Sequence, residues 1–345
     1  MAYTTINKSS LHMNTKLYSG TGSSQSITGV GFQPDFVWCK ARSGTWGSYN
    51  HNLFDVIRGV TKRITSNDTL AEATVATSLT AFNADGWTGG GDNETNNSGT
   101  EYVSWNWKAN GAGSANTAGS INSTVSVNAT SGFSIVKYTG TGSLATVGHG
   151  LGMAPKMILI KDLSYTRDWA VYHQAMGNTY GIYLNLTNAQ GGGNSDFWGS
   201  TSPTSTVFTI NTRNENNNNG SNYIAYCFSD VQGFSKMGSY VGNGNADGPF
   251  IYTGFKPSFV MIKNASISTN WVMIDNKRPG FNSNNYFLSP NLYNAETTNY
   301  GLEILSNGFK PLTNLSWINE SGSNIIYMAF GQSLVGTNNI PNNAR

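Results

Sequence analysis

The sequence predicts an all-β protein made of three tandem β-sandwich or jelly-roll-like repeats of about 100 residues each. Three observations carry this prediction. The composition is rich in turn residues and poor in charge, three segments share motifs at fixed spacing, and apolar positions alternate with period two.

Composition comes first. The 345 residues include 44 Asn, 40 Gly and 9 Pro, residues that favour turns and disfavour helix interiors. Aromatic residues make up 12%, which rules out a disordered chain. Charged residues are 11%, against about 25% in an average soluble protein. The net charge of +2 leaves no basic excess for a phosphate backbone, so nucleic acid is excluded as a partner. No run approaches the ~18 apolar residues of a membrane-spanning helix, so no membrane insertion is expected. The start, MAYTTINKSSLHMNTK, lacks the apolar core of a signal peptide, so a product made in the cytoplasm without signal-peptide export is expected. Cys39 and Cys227 lie in apolar runs and read as buried free thiols.

The spacing makes the triplication quantitative. Tyr18-Ser-Gly-Thr-Gly22, Tyr138-Thr-Gly-Thr-Gly142 and Tyr240-Val-Gly-Asn-Gly244 each precede a proline and an apolar strand ending in Lys40, Lys161 or Lys263. From Pro34 to Trp107, Pro155 to Phe228 and Pro257 to Phe330 the separation is 73 residues in every case. Trp87 and Phe208 follow their prolines by 53 residues and Phe309 follows its proline by 52. One fold repeated three times explains such constancy. The expected domains are repeats over 1–110, 132–231 and 232–333. Residues 111–131, small and polar, read as a flexible linker, and 334–345 as a tail laid over a neighbouring surface.

Period two assigns faces to the closing strands. Val103, Trp105 and Trp107 alternate with smaller residues, as do Ile224, Tyr226, Phe228 and Ile326, Met328, Phe330. The large face is expected to fill the core of its own repeat, and the other to meet solvent or a thin layer. The post-proline strands, such as Phe36-Val-Trp-Cys39, are apolar throughout and read as central strands covered on both faces. The prolines are expected just before them. The best helical stretch, 69–77, carries threonines that favour strand or loop.

No constellation for chemistry appears. His12, His51, His149 and His173 show no metal-ligand spacing, the glycine turns precede strands and lack the lysine of a phosphate loop, and no nucleophile motif occurs. The expectation is no enzyme, no catalytic residue, no metal and no cofactor. Asp55 with Arg58 and Asp275 with Arg278 read as loop-fixing ion pairs, which the second repeat replaces by His173 and Met176. Trp46, Trp198, Tyr293 and Trp317 have no aromatic counterpart in at least one other repeat. They are the candidate contact residues, suited to sugar rings or a partner protein.

Several long motifs, among them TKLYSGTGSSQSITGVGFQPDFVWCKAR, RGVTKRI, YVSWNWKANG, YVGNGNADGPFIYTGFKPSFVMIKN and LVGTNNIPNNAR, carry a likeness. With them the chain resembles, over essentially its whole length, a family of virion structural proteins from marine tailed bacteriophages built from repeated β domains. The resemblance implies a tail-fibre-like protein on the particle, in contact with other virion proteins and with the host. By analogy it also implies a homo-oligomer, a trimer. No functional residues carry over from it. The absence of a heptad shaft favours a compact spike or adaptor over a long fibre. The alternatives are a capsid-surface decoration protein and a module that binds a host surface glycan.

Overall fold

The structure is a computed structural model and describes residues 3–43, 49–192, 195–278, 282, 286–298 and 301–335. The protein is all-β, with 43% strand against 6% helix, and its helices are single turns. Three large and three small antiparallel sheets are present among the described residues.

The large sheets share one order. An opening strand, a closing strand, a post-proline strand and a fourth strand lie side by side. In the first segment these are Met13–Ser19, Glu101–Trp107, Phe36–Ala41 and Asn52–Asp55. The second has Phe133–Thr139, Asn222–Phe228, Met157–Asp162 and Ala170–His173. In the third they are Ser235–Val241, Asn324–Gln332, Lys256–Asn264 and Val272–Asp275. Register matches too: Trp107 stands opposite Met13 and Phe36, Phe228 opposite Phe133 and Met157, Phe330 opposite Ser235 and Phe259. Pro34 and Pro155 precede their strands as expected. Pro257 instead lies inside its strand, at a register shift between Pro257 and Phe259 that accommodates the missing N–H.

The closing strands turn their large side chains into a core, as expected, but not each into a core of its own repeat. Their large side chains do not fill three separate cores but meet in one. Trp107, Phe228 and Phe330 contact one another pairwise, with ring centroids 6.3, 5.9 and 5.9 Å apart. Phe36 stacks on Tyr226 at 4.2 Å, and Trp107 meets Phe259 edge-on at 5.8 Å. All belong to one cluster that draws on the three segments.

The smaller face is not solvent-exposed. It packs on a small sheet, giving each segment a second cluster of its own. The recurrent aromatics Trp87, Phe208 and Phe309 lie fully buried in these clusters. Tyr18, Tyr138 and Tyr240 meet them edge-on at 5.6, 6.1 and 6.1 Å. Each tyrosine hydroxyl donates to a carbonyl of a one-turn helix, at Thr95, Asn216 or Ile318. Just after, Asn96, Asn217 and Asn319 accept at Oδ1 from the backbone of the glycine turns, at Thr21, Thr141 and Asn243. Gly22, Gly142 and Gly244 adopt φ near +70° there, where a side chain would be strained.

Residues 111–131 are a further correction. Ser114–Asn116 and Ser123–Asn128 are strands that extend the second sheet beyond its opening strand. Val125 pairs with Val136 and is buried. The alternation Val125, Ser126, Val127 is strand-like, but the small polar residues around it conceal that signal. In the expected tail, residues 336–345 fall outside the described residues.

Candidate functional site

Most groups that chemistry would use bind one segment to the next. Asp55 Oδ2 accepts from Arg58 Nε and from Tyr226 Oη of the second segment, the latter at 2.8 Å. Asp275 Oδ2 accepts from Arg278 Nε at 2.7 Å and from Trp105 Nε1 of the first segment at 3.1 Å. His173, at the matched position, lies 3.2 Å through Nε2 from the Tyr327 carbonyl of the third segment. The middle residue of the closing strand explains the difference. Trp105 and Tyr226 bring a donor that needs a carboxylate, whereas Met328 brings none. The ion pairs therefore fix their loops, as the sequence predicts, and also grip the neighbouring sheet.

A second set of contacts runs round the same circle. Glu72 N donates to Leu163 O, Gln190 N to Ala265 O and Glu296 N to Arg42 O, at 3.1, 2.8 and 3.1 Å. Each acceptor lies two residues beyond the strand-end lysine of its segment. Those lysines, Lys40, Lys161 and Lys263, are buried. Lys40 Nζ donates to the carbonyls of Ala41 and Tyr293 at 2.9 and 3.0 Å, and Lys161 Nζ to those of Thr69 and Arg167 at 3.0 and 2.7 Å. Lys263 Nζ donates to the Asn264 carbonyl at 2.6 Å.

Burial pulls these amines down to about 8 for Lys40, about 8 for Lys161 and about 7 for Lys263. A lysine in an unfolded chain titrates near 10.4. Between those values the unfolded chain holds protons that the folded chain has released, so stability rises with pH from about 7 to about 10. Each lysine contributes about 3–5 kcal/mol over the whole of that rise. Burial pushes Tyr18, Tyr138 and Tyr240 up, which reverses the trend above about pH 10. The guanidinium unfolding midpoint is expected to be higher at about pH 9.5 than at pH 7, and equal midpoints would contradict the burial of the amines.

Both cysteines and three of the histidines, His51, His149 and His173, are equally enclosed, while His12 is half-buried. Burial raises the Cys39 thiol to about 12, and it sits 2.9 Å from Tyr18 Oη. Burial lowers His149 and His173 to about 4. Among the described residues no three His, Cys, Asp or Glu side chains gather as metal ligands. No helix there is long and apolar enough to cross a membrane.

The four unmatched aromatics separate. Trp46 lies outside the described residues. Trp198 is 2% exposed, donates from Nε1 to the Tyr180 carbonyl at 2.9 Å and packs on Phe197 and Tyr172. It is a core residue of the second segment and not a contact residue. Its lack of a counterpart reflects local packing. Tyr293 is 53% exposed, while its carbonyl holds Lys40. Trp317 is half-buried, with its ring perpendicular to Phe287 at 6.2 Å.

Trp317 and Phe287 line a cleft of about 160 Å³ in the third segment. Leu292 and Ala295 add apolar lining, and Ser289, Asn294 and Thr297 add polar groups. Tyr293 stands beside it in sequence. Ser289 is 6% exposed, and its Oγ is buried without a hydrogen-bond partner among the described residues. The sequence reading missed Ser289 and Phe287, since nothing in Phe287-Leu-Ser-Pro290 marks a site.

A family profile described as a domain of unknown function, DUF7483, matches residues 8–333. The single match takes in all three segments. No curated protein and no solved structure matches the chain. The chain belongs to the DUF7483 family.

Proposed function

We propose that this DUF7483 protein is a non-enzymatic structural component of a tailed-phage particle, a compact tail-associated spike or adaptor involved in assembly and host contact. In this reading three tandem β-sandwich repeats are closed into a ring around a shared aromatic core. The matched strand order, the constant 73-residue spacing and the circular contacts support the triplication. The threefold arrangement then lies within one chain, in place of the homotrimer expected by analogy.

The observation that carries the reading is the use of the buried polar groups. Asp55, Asp275, His173 and the three lysines all bind backbone or side chains of the ring itself. Such a body offers rigid contact surface. The resemblance to marine phage virion proteins supplies the location, and the low charge suits assembly onto a particle.

Gold-labelled antibody against the chain, applied to gradient-purified particles of the encoding phage, tests this. Label at the tail is expected. Label on the head facets would favour a decoration protein instead, and absence of the chain from the particles would overturn the proposal.

A further inference from the structure

We infer that the open edge of the opening strand Met13–Ser19 docks an acidic extended segment of a partner protein, which joins the first sheet as an added antiparallel strand. The inference goes beyond the structural role above and stands on its own observations, so either can fail without the other.

The first observation is a row of outward backbone groups. Met13–Ser19 is the edge of its sheet, with the closing strand on one side only. Lys108 N donates to His12 O and Gly20 N to Thr100 O, which fixes the even-numbered residues as those bonded to the closing strand. Thr15 and Leu17 therefore turn their N–H and C=O groups away from it, and among the described residues no strand meets them. A groove of about 280 Å³ stands there, lined by Asn14, Thr15, Lys16, Leu17, Gly29 and, from the third segment, Lys277.

The second observation is that the chain fills the same space elsewhere. Counted back from Tyr18 and Tyr138, Thr15 and Leu17 match Ile135 and Lys137. In the second segment those two stand opposite Ser126 and Thr124 of the strand Ser123–Asn128. Gly29 and Gly150 each precede their proline by five residues. A Cβ on Gly150 would lie 3.2 Å from Val125 and 3.5 Å from Val127, so the added strand lies over that glycine. A Cβ on Gly29 would meet only the end of the Lys16 side chain. The groove is thus the bed of Ser123–Asn128 without its strand. The third segment closes this position differently, since Met237 N, matched to Thr15, donates to Asp230 Oδ1 at 2.7 Å.

Charge defines the occupant. The groove presents Lys16 and Lys277, where the second segment, covered by the uncharged Ser123–Asn128, has Val136 and Ile57 at the matched positions. Among the described residues neither lysine has a carboxylate within 4 Å. The Asp85 carboxylate, whose charge Lys16 feels, already accepts from the Gly29 and Gly31 amides at 2.9 and 2.6 Å. An entering strand with carboxylates at alternate positions meets the outward groups of Thr15 and Leu17 and the two ammonium groups together. A small anion would leave the strand edge unpaired, and a neutral strand would leave both cations unanswered.

Fluorescence anisotropy on the full chain tests the inference, with a labelled twelve-residue peptide that alternates glutamate and valine. The controls are the same peptide with lysine for glutamate, and one whose alternate backbone nitrogens are methylated. The glutamate peptide is expected to bind with a Kd of about 0.1 mM at low salt, about tenfold tighter than either control, and to weaken as added salt screens the lysines. Lys16→Gln/Lys277→Gln is expected to weaken it about fivefold. Amide hydrogen exchange locates the added strand. Saturating peptide is expected to slow exchange about tenfold at Thr15 and Leu17, while Asn14, Lys16 and Tyr18, already bonded to the closing strand, change little. Silence from the glutamate peptide, equal binding by either control, or protection at Ser239 and Val241 of the third segment in place of Thr15 and Leu17 would overturn it. Slow exchange at Thr15 and Leu17 in the chain alone, with a dimer in sedimentation, would also overturn it, by making a second copy the occupant.

Discussion

Replacing Phe330 by alanine is expected to destabilise the whole protein by about 3–5 kcal/mol, the range for a buried aromatic. Its loss is not confined to the third segment. Phe330 touches Trp107 of the first segment and Phe228 of the second, besides Phe234 and Phe259 of its own. A cavity there removes contacts from all three closing strands at once, and the surrounding sheets are held by continuous ladders that restrict collapse. Tryptophan fluorescence, to which the buried Trp38, Trp87, Trp105 and Trp107 of the first segment contribute, is therefore expected to shift to a lower guanidinium midpoint although the substitution lies far away in sequence. A variant whose first-segment tryptophans unfold at the wild-type midpoint would show that the segments are energetically separate.

The second large effect concerns charge. Asp275→Ala is expected to cost about 3–5 kcal/mol, because it leaves the Arg278 guanidinium buried without its main counter-ion. The same carboxylate also accepts from the Lys277 and Arg278 backbones, each at 3.0 Å, and from Trp105 Nε1, so four donors lose a partner together. The chain itself suggests the rescue. At the matched positions the second segment carries His173 and Met176, facing a closing strand whose middle residue is Met328. The triple variant Asp275→His/Arg278→Met/Trp105→Met copies that junction and is expected to be more stable than Asp275→Ala alone. Thermal unfolding of the two variants beside the wild type checks this. A loss under about 1 kcal/mol for the single variant would mean that the pair is dispensable.

Much of this architecture was legible in the sequence, and the errors have physical causes. The 73-residue spacing located all three closing strands, because strand register within a covered sheet tolerates no slippage. Alternation separated two faces on those strands correctly. It could not say which neighbour each face meets, since both neighbours are apolar. The larger side chains were assigned to the nearer partner in sequence, when their real contacts lie more than a hundred residues away, as between Trp107 and Phe228. Residues 111–131 were misread because serine and threonine hide a two-valine alternation. Of the cleft, Trp317 was visible as an unmatched aromatic. Ser289 was invisible, for only the fold shows that its hydroxyl is enclosed without a partner. Trp198 shows the opposite failure, an unmatched aromatic that packs locally.

Scanning calorimetry of the intact chain tests the shared core most directly. A body whose three sheets meet at Trp107, Phe228 and Phe330 is expected to unfold in one transition, with the calorimetric enthalpy equal to the van't Hoff enthalpy. Three resolved transitions, or a van't Hoff enthalpy near one third of the calorimetric value, would contradict it.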